Sequence, residues 1–358
     1  MTKETMTRYF CNYSIGPRAY EKVYGECRPY GKKALLLGGE KALAAGAGAL
    51  RDALRGTDLT LEEAVYGTEC TEETALRWAK RAGELGADML FGMGGGKALD
   101  TAKEAADLAG LPVFTFPTIA ATCAGTSALS VLYRPDGSFD RYALFSRPPR
   151  HCFLNLEVIA KAPAVYLQAG MGDTTAKFFE CHFSARGDRL THSSALGREI
   201  SNLCYGPLLE YGAQALRDCR EGRATEALEQ AVLAVVVSTG LVSLLVDDAY
   251  NGALAHALYY GLVLLPGFEE RFLHGNAVAY GVLVQLAVDG DWERAAEVKA
   301  FLQSLDIPTT LGEMEVPLDR EALREVLRAA VTGEDMRHIP YPVTEDMVCR
   351  AIEAVEAL

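Results

Sequence analysis

The chain has no Lys- or Arg-rich run and no basic amphipathic segment, and its formal net charge of −13 is spread along its length. A nucleic-acid backbone or an anionic membrane would find no complementary surface, so neither is expected as the main partner. No Cys-x-x-Cys pair occurs among the nine scattered cysteines. They read as reduced thiols in a cytoplasmic protein. The opening MTKETMTRYF lacks the apolar core of a signal peptide. The most apolar segment, AVLAVVVSTGLVSLLV at 231–246, is short for a membrane span and is interrupted by Ser238, Thr239, Gly240 and Ser243, so a buried helix is expected. Internal repeats and low-complexity tracts are also absent. What remains is a 358-residue chain, 49% hydrophobic and 23% charged, with the composition of a globular protein acting on small molecules.

Strand and helix signals alternate through the first 160 residues. KKALLLGG, LEEAVYG, ADMLFGMGGG and LPVFTFPT read as strands, and EKALAAGAGALRDAL, TEETALRWAKRAGELG and KALDTAKEAADLAG as helices between them, with Thr71 as a start and Gly86 and Gly110 as stops. Such alternation predicts a parallel sheet covered by helices on both faces. LSVLYRPDGSFDRYALF breaks the rhythm with a hairpin around Pro135-Asp136-Gly137. Beyond Ala164 the strand signals stop and helical patterns follow one another. The expected organisation is an α/β dinucleotide-binding domain at 1–160 and an all-α metal- and substrate-binding domain at 161–358, with a cleft between them for a small molecule.

FGMGGGKALDTAK places Gly94, Gly95 and Gly96 between a strand and a helix. Three bare residues at a helix N-terminus let a phosphate approach free N–H groups, although a tight structural turn would use the same residues. The turn is neither G-x-G-x-x-G nor a P-loop, so neither generic motif assigns it. Asp100, one turn into the helix, reads by default as a solvated acid favoured by the helix dipole. Asp173, His256 and His274 are weak signals singly: no H-E-x-x-H spacing joins the histidines, and a lone histidine on an apolar helix is usually a core residue.

GMGGGKALDTAK, FPTIAATCAGTSALSVLY, APAVYLQAGMGDTTAKFFE and the segments around both histidines resemble the glycerol-dehydrogenase branch of the iron-containing alcohol dehydrogenases, in order over nearly the whole chain. Within it, TIAATCA and the FLHG, VAYG and IPTTL wording look most similar to bacterial hydroxycarboxylate dehydrogenases acting on 2-oxo acids. The resemblance implies that Gly94, Gly95 and Gly96 carry a dinucleotide pyrophosphate. By the same resemblance Lys97, Asp100 and Thr118 approach the dinucleotide, and Ser127, Leu129 and Tyr133 line its nicotinamide end. It also pairs Asp173, His256 and His274 as ligands of one divalent metal, an open three-residue set of the catalytic kind. The related dehydroquinate synthase wording is not seen.

Three departures bear on chemistry. Iron-preferring members carry a further histidine where this chain has Lys177, which favours zinc over iron. Glycerol dehydrogenases carry an Asp where this chain has Cys123, and the family's second histidine is here Tyr259, a possible substitute donor. Many glycerol dehydrogenases also end the first strand with an Asp that accepts the ribose hydroxyls. Here that position is Gly39, and the missing carboxylate together with nearby Lys41 favours NADP(H) over NAD(H), while Glu40, one position on, pulls the other way as a ribose ligand. The function expected first is therefore metal-dependent interconversion of 2-oxo and 2-hydroxy acids by a homo-oligomer, with Lys177 either reading the substrate carboxylate or, equally, lying on the solvated helix face or pairing with Glu180. Oxidation of glycerol or another vicinal diol, or aldehyde reduction, is the alternative, ahead of a dinucleotide-binding protein without activity.

Overall fold

A computed structural model describes residues 7–358; the first six residues of the stretch read for a signal peptide lie outside the described residues. The chain divides into two compact units, one running to Pro163 and adding Asp218–Val232, the other formed by Ala164–Arg217 and Leu233–Leu358. The sequence reading assigned everything after 160 to the second unit. Asp218–Val232 joins the first because the Cys219 thiol lies against the Ile159 and Ala162 carbonyls and the Glu226–Val232 helix packs on Leu156–Ala160.

Six parallel strands form the sheet of the first unit: β1 (Asn12–Gly16), β2 (Lys33–Gly38), β3 (Thr60–Val65), β4 (Met89–Gly94), β5 (Val113–Pro117) and β8 (His151–Asn155), in the order β1-β8-β5-β4-β2-β3. Four were expected; β1 and β8 were not. Leu36 in β2 points to one apolar layer with Leu50, Phe91 and Phe114, while Leu35 and Leu37 point to the other with Leu90, Ala102 and Ala105. Gly92 lets the Gly96–Ala109 helix lie close on β4: a Cβ there would come within 2.7 Å of Ala102 Cβ. The expected hairpin is β6 (Leu129–Tyr133) and β7 (Phe139–Leu144), with Gly137 at φ +87° in its turn.

The strand order of the sheet places β4 between β2 and β5, in register Gly38 to Met93 and Gly94 to Pro117. The carboxyl ends of three neighbouring strands thus bring Gly39, Gly94–Gly96 and Thr118 to one edge of the sheet, where open α/β sheets bind ligands.

Among its described residues the second unit holds helices and no strand. The His274–Val288 helix is apolar on nearly every side and packs against Ala164–Ser184, Leu254–Leu262 and Glu345–Ala357. The segment at 231–246 falls in one continuous helix, Glu226–Leu245, long and apolar enough to cross a membrane by composition, with 67% of its apolar window buried inside the protein.

Candidate active site

The glycine turn begins at Gly94, whose φ of +148° is closed to residues with side chains. Gly95 precedes the first helical residue in extended conformation, without a side-chain cap, and a Cβ on it would lie 2.7 Å from Ile119. Gly96 opens the helix, with Thr122 Oγ1 3.7 Å from where its Cβ would be. The first-turn amides are therefore bare, and the Thr118 amide ties β5 to the Gly94 carbonyl at 3.1 Å. Lys97 pairs with Glu69 at 2.7 Å and lies 4.8 Å from the centre of the Tyr133 ring. Gly39 caps the Glu40–Leu54 helix in extended backbone, and Glu40 and Lys41 are exposed in its first turn.

Asp100 is not the solvated acid its position suggests. It is 5% exposed, its Oδ1 pairs with Lys103 Nζ at 2.9 Å and its Oδ2 accepts the Val131 amide of β6 at 3.2 Å. Burial pushes its carboxyl above the usual range, and the Lys103 ammonium opposes that rise. The β6–β7 hairpin is what covers it, a tertiary contact invisible to a helical pattern.

The second unit assembles the other candidates. Asp173 projects from the Ala164–Ser184 helix, His256 from Leu254–Leu262, and His274 opens His274–Val288. Asp173 Oδ1 lies 3.4 Å from His256 Nε2 and 3.3 Å from His274 Nε2, and the three donor atoms fall within 4.8 Å of one another. Glycines make this meeting possible: a Cβ on Gly172 would be 2.4 Å from the Gly275 carbonyl oxygen, so the helices touch backbone to backbone beside Asp173 and His274.

Glu180, two helical turns after Asp173 and so on the same face, is the residue that sequence reasoning missed. Fully buried, it accepts from the Ala253 amide at 2.8 Å, the His256 amide at 2.9 Å and His256 Nδ1 at 2.5 Å. This orients the ring and leaves Nε2 facing Asp173, the carboxylate-to-histidine support common behind metal ligands. Burial lowers the affinity of His256 for a proton, yet Glu180 and Asp173 outweigh it and push the imidazole up to about 10. Burial likewise opposes ionisation of Asp173, and the two histidines overcome it and hold the carboxyl well below its usual range. An acid at two-turn spacing was the available signal.

Lys177 donates to the Asn251 carbonyl at 2.7 Å and lies 3.4 Å from its Oδ1. The ammonium is held by that loop and does not ion-pair with Glu180, the alternative its spacing suggested. Tyr259 donates to Glu269 at 2.9 Å and sets its ring edge-on to His274, 4.3 Å between centroids, so it braces that imidazole. Half-buried Cys123 lies in the first unit, where its carbonyl accepts the Thr126 and Ser127 amides.

The first unit thus presents a glycine turn at the carboxyl edge of a parallel sheet, and the second brings one carboxylate and two imidazoles together. A family model for the iron-containing alcohol dehydrogenases matches residues 11–154. A glycerol dehydrogenase of Thermotoga maritima is 36% identical over 84% of this chain and 83% of the relative. Hydroxycarboxylate dehydrogenase A of Escherichia coli is 35% identical over 82% and 81%. The crystal structure of Schizosaccharomyces pombe glycerol dehydrogenase matches with a TM-score of 0.89 at 29% identity, over 99% of this chain and 91% of that one. The chain belongs to the iron-containing alcohol dehydrogenase family and is a dehydrogenase acting on CH–OH groups.

Proposed function

We propose that the protein is a metal-dependent, NAD(P)-linked dehydrogenase of a small vicinal diol or of the corresponding hydroxy-carbonyl compound. The observation that carries this is the Asp173, His256 and His274 cluster with Glu180 behind it. The donor set fits a divalent cation: three ligand atoms within 4.8 Å, one imidazole oriented by a buried carboxylate, and no fourth protein ligand to close the site among the described residues. A cation held there would supply Lewis-acid stabilisation of charge developing on the substrate oxygen. Zinc is favoured over iron because Lys177, turned to Asn251, adds no imidazole. The chain's own residues do the rest: Glu180 fixes His256, Tyr259 braces His274, and Gly94–Gly96 present bare amides to a pyrophosphate.

The neutral substrate class now comes ahead of 2-oxo acids. Two of the three relatives named above are glycerol dehydrogenases, and the ammonium expected to read a carboxylate is held by Asn251. The 2-oxo acid reading keeps two observations, Cys123 in place of the Asp and the hydroxycarboxylate dehydrogenase relative. A panel of glycerol, 1,2-propanediol, hydroxyacetone and 2-oxo acids, run with Lys177→Ala beside the wild type, decides between them. We expect the highest kcat/KM on a neutral compound and similar changes on both classes in the variant. Selective loss of activity on 2-oxo acids, roughly tenfold or more, would return Lys177 to the role of carboxylate reader.

NADP(H) is the proposed dinucleotide because no carboxylate stands at Gly39 to repel a 2′-phosphate. Gly39 has φ −73°, ψ 155° and only Tyr66 Cε1, at 3.7 Å, near its absent Cβ, so an Asp fits without strain. Gly39→Asp is therefore expected to shift the ratio of kcat/KM values from NADPH toward NADH by about tenfold, the worth of one such charge contact. A wild type that already prefers NADH would point to Glu40 as the ribose ligand instead.

A further inference from the structure

Lys103 lies in the middle of the Gly96–Ala109 helix and its side chain is 1% exposed, unusual for a lysine and unused by the reading above. The ammonium donates to Ser127 Oγ at 3.2 Å and to the Leu129 carbonyl, and it stands 2.9 Å from Asp100 Oδ1 as an ion pair. Asp100 completes the grip: its Oδ2 accepts the Val131 amide and its carbonyl accepts the Ser130 hydroxyl at 2.9 Å. A single buried ion pair therefore clamps Ser127 through Val131 onto the helix whose first turn carries the glycine cradle. A merely structural pair would be replaceable by apolar packing. Here the carboxylate and the ammonium both bond to one short segment, which ties its register to the helix.

We propose that Lys103 is a positioning residue for the nicotinamide half of the dinucleotide, acting through Ser127 and Leu129; this rests on the assignment of those residues to the nicotinamide end. The pyrophosphate half depends on Gly94–Gly96, which Lys103 does not touch, so the two halves of the ligand separate in their response. The test is binding of NADPH and of 2′-phospho-ADP-ribose, which lacks nicotinamide, measured by calorimetry on metal-loaded protein. Lys103→Met is expected to weaken NADPH about tenfold and to change 2′-phospho-ADP-ribose by less than about twofold, with KM for the dinucleotide rising in step. Lys103→Arg keeps the charge beside Asp100 but cannot reach Ser127 Oγ and the Leu129 carbonyl from the same point, and it carries the test if Lys103→Met fails to fold. Equal weakening of both ligands, or unchanged NADPH affinity in the folded Arg variant, overturns the proposal while leaving the dinucleotide assignment standing. A wild type that binds neither ligand, nor NADH and ADP-ribose, overturns that assignment and this inference with it.

Discussion

Treatment with a chelator should abolish turnover, and adding back Zn²⁺ should restore it. The reason lies in the charge balance of the site. Half-buried Asp173 and buried Glu180 bring two carboxylates toward two imidazoles, and together they favour a cationic His256 when no other cation is present. A divalent ion bound there would take the place of the Nε2 proton and leave the Glu180 bond to orient the ring. Loss of several kcal/mol of charge stabilisation at the substrate oxygen corresponds to a rate loss on the order of a thousandfold or more. His256→Ala and His274→Ala should each reproduce most of that loss and lower the metal content measured by atomic absorption after dialysis. Near-native circular dichroism in both variants separates lost ligation from unfolding. Full activity of the double variant in metal-free buffer would remove the metal from the mechanism.

Much of the first unit was legible because its signals are local. β2, β4 and β5 are buried on both faces and so read as apolar runs, and Thr71, Gly86 and Gly110 stand at helix ends as their chemistry requires: Thr71 accepts the Thr74 amide, and both glycines are left-handed. β1 escaped notice because an edge strand with the pattern NYSIG is half exposed and shows no apolar run. β8 escaped because its five residues, fully buried, begin with His151, which is bonded to Ser14 across the strand pair. Asp100 looked like an ordinary solvated first-turn acid, and only the hairpin folded over it makes it and Lys103 an internal pair.

The proposed metal ligands were not legible one by one. Asp173, His256 and His274 stand on three helices, and no local spacing links them. Resemblance joined them, and the geometry then showed what resemblance did not: the Glu180 support two turns along from Asp173, and the hold that Asn251 has on Lys177. Residues that act through a neighbour leave no motif of their own, which is why Glu180 and Lys103 emerged only from the packing.

Gly275→Ala should be among the most damaging single-methyl additions in the chain. A Cβ at that position would stand 1.8 Å from the Ala169 carbonyl oxygen and 3.1 Å from the Asp173 amide, distances that no rotamer change relieves because both atoms belong to the backbone. The His274–Val288 and Ala164–Ser184 helices must then separate by roughly an ångström or more, at a cost of about 3 kcal/mol, the upper end for overpacking a core. Separation also opens the 3.3 Å approach of His274 to Asp173, on which a shared ligand depends. Metal affinity should therefore fall by roughly tenfold or more, together with the melting temperature. Gly83→Ala is the control: it sits in the exposed face of the Glu72–Leu85 helix with nothing within 4 Å of the new methyl, and helix propensity alone makes it neutral or stabilising by up to about 1 kcal/mol. Thermal unfolding and Zn²⁺ titration of the two variants beside the wild type give the comparison. If Gly275→Ala melts and binds metal as the Gly83 variant does, the backbone contact between these helices does not set the geometry of the site.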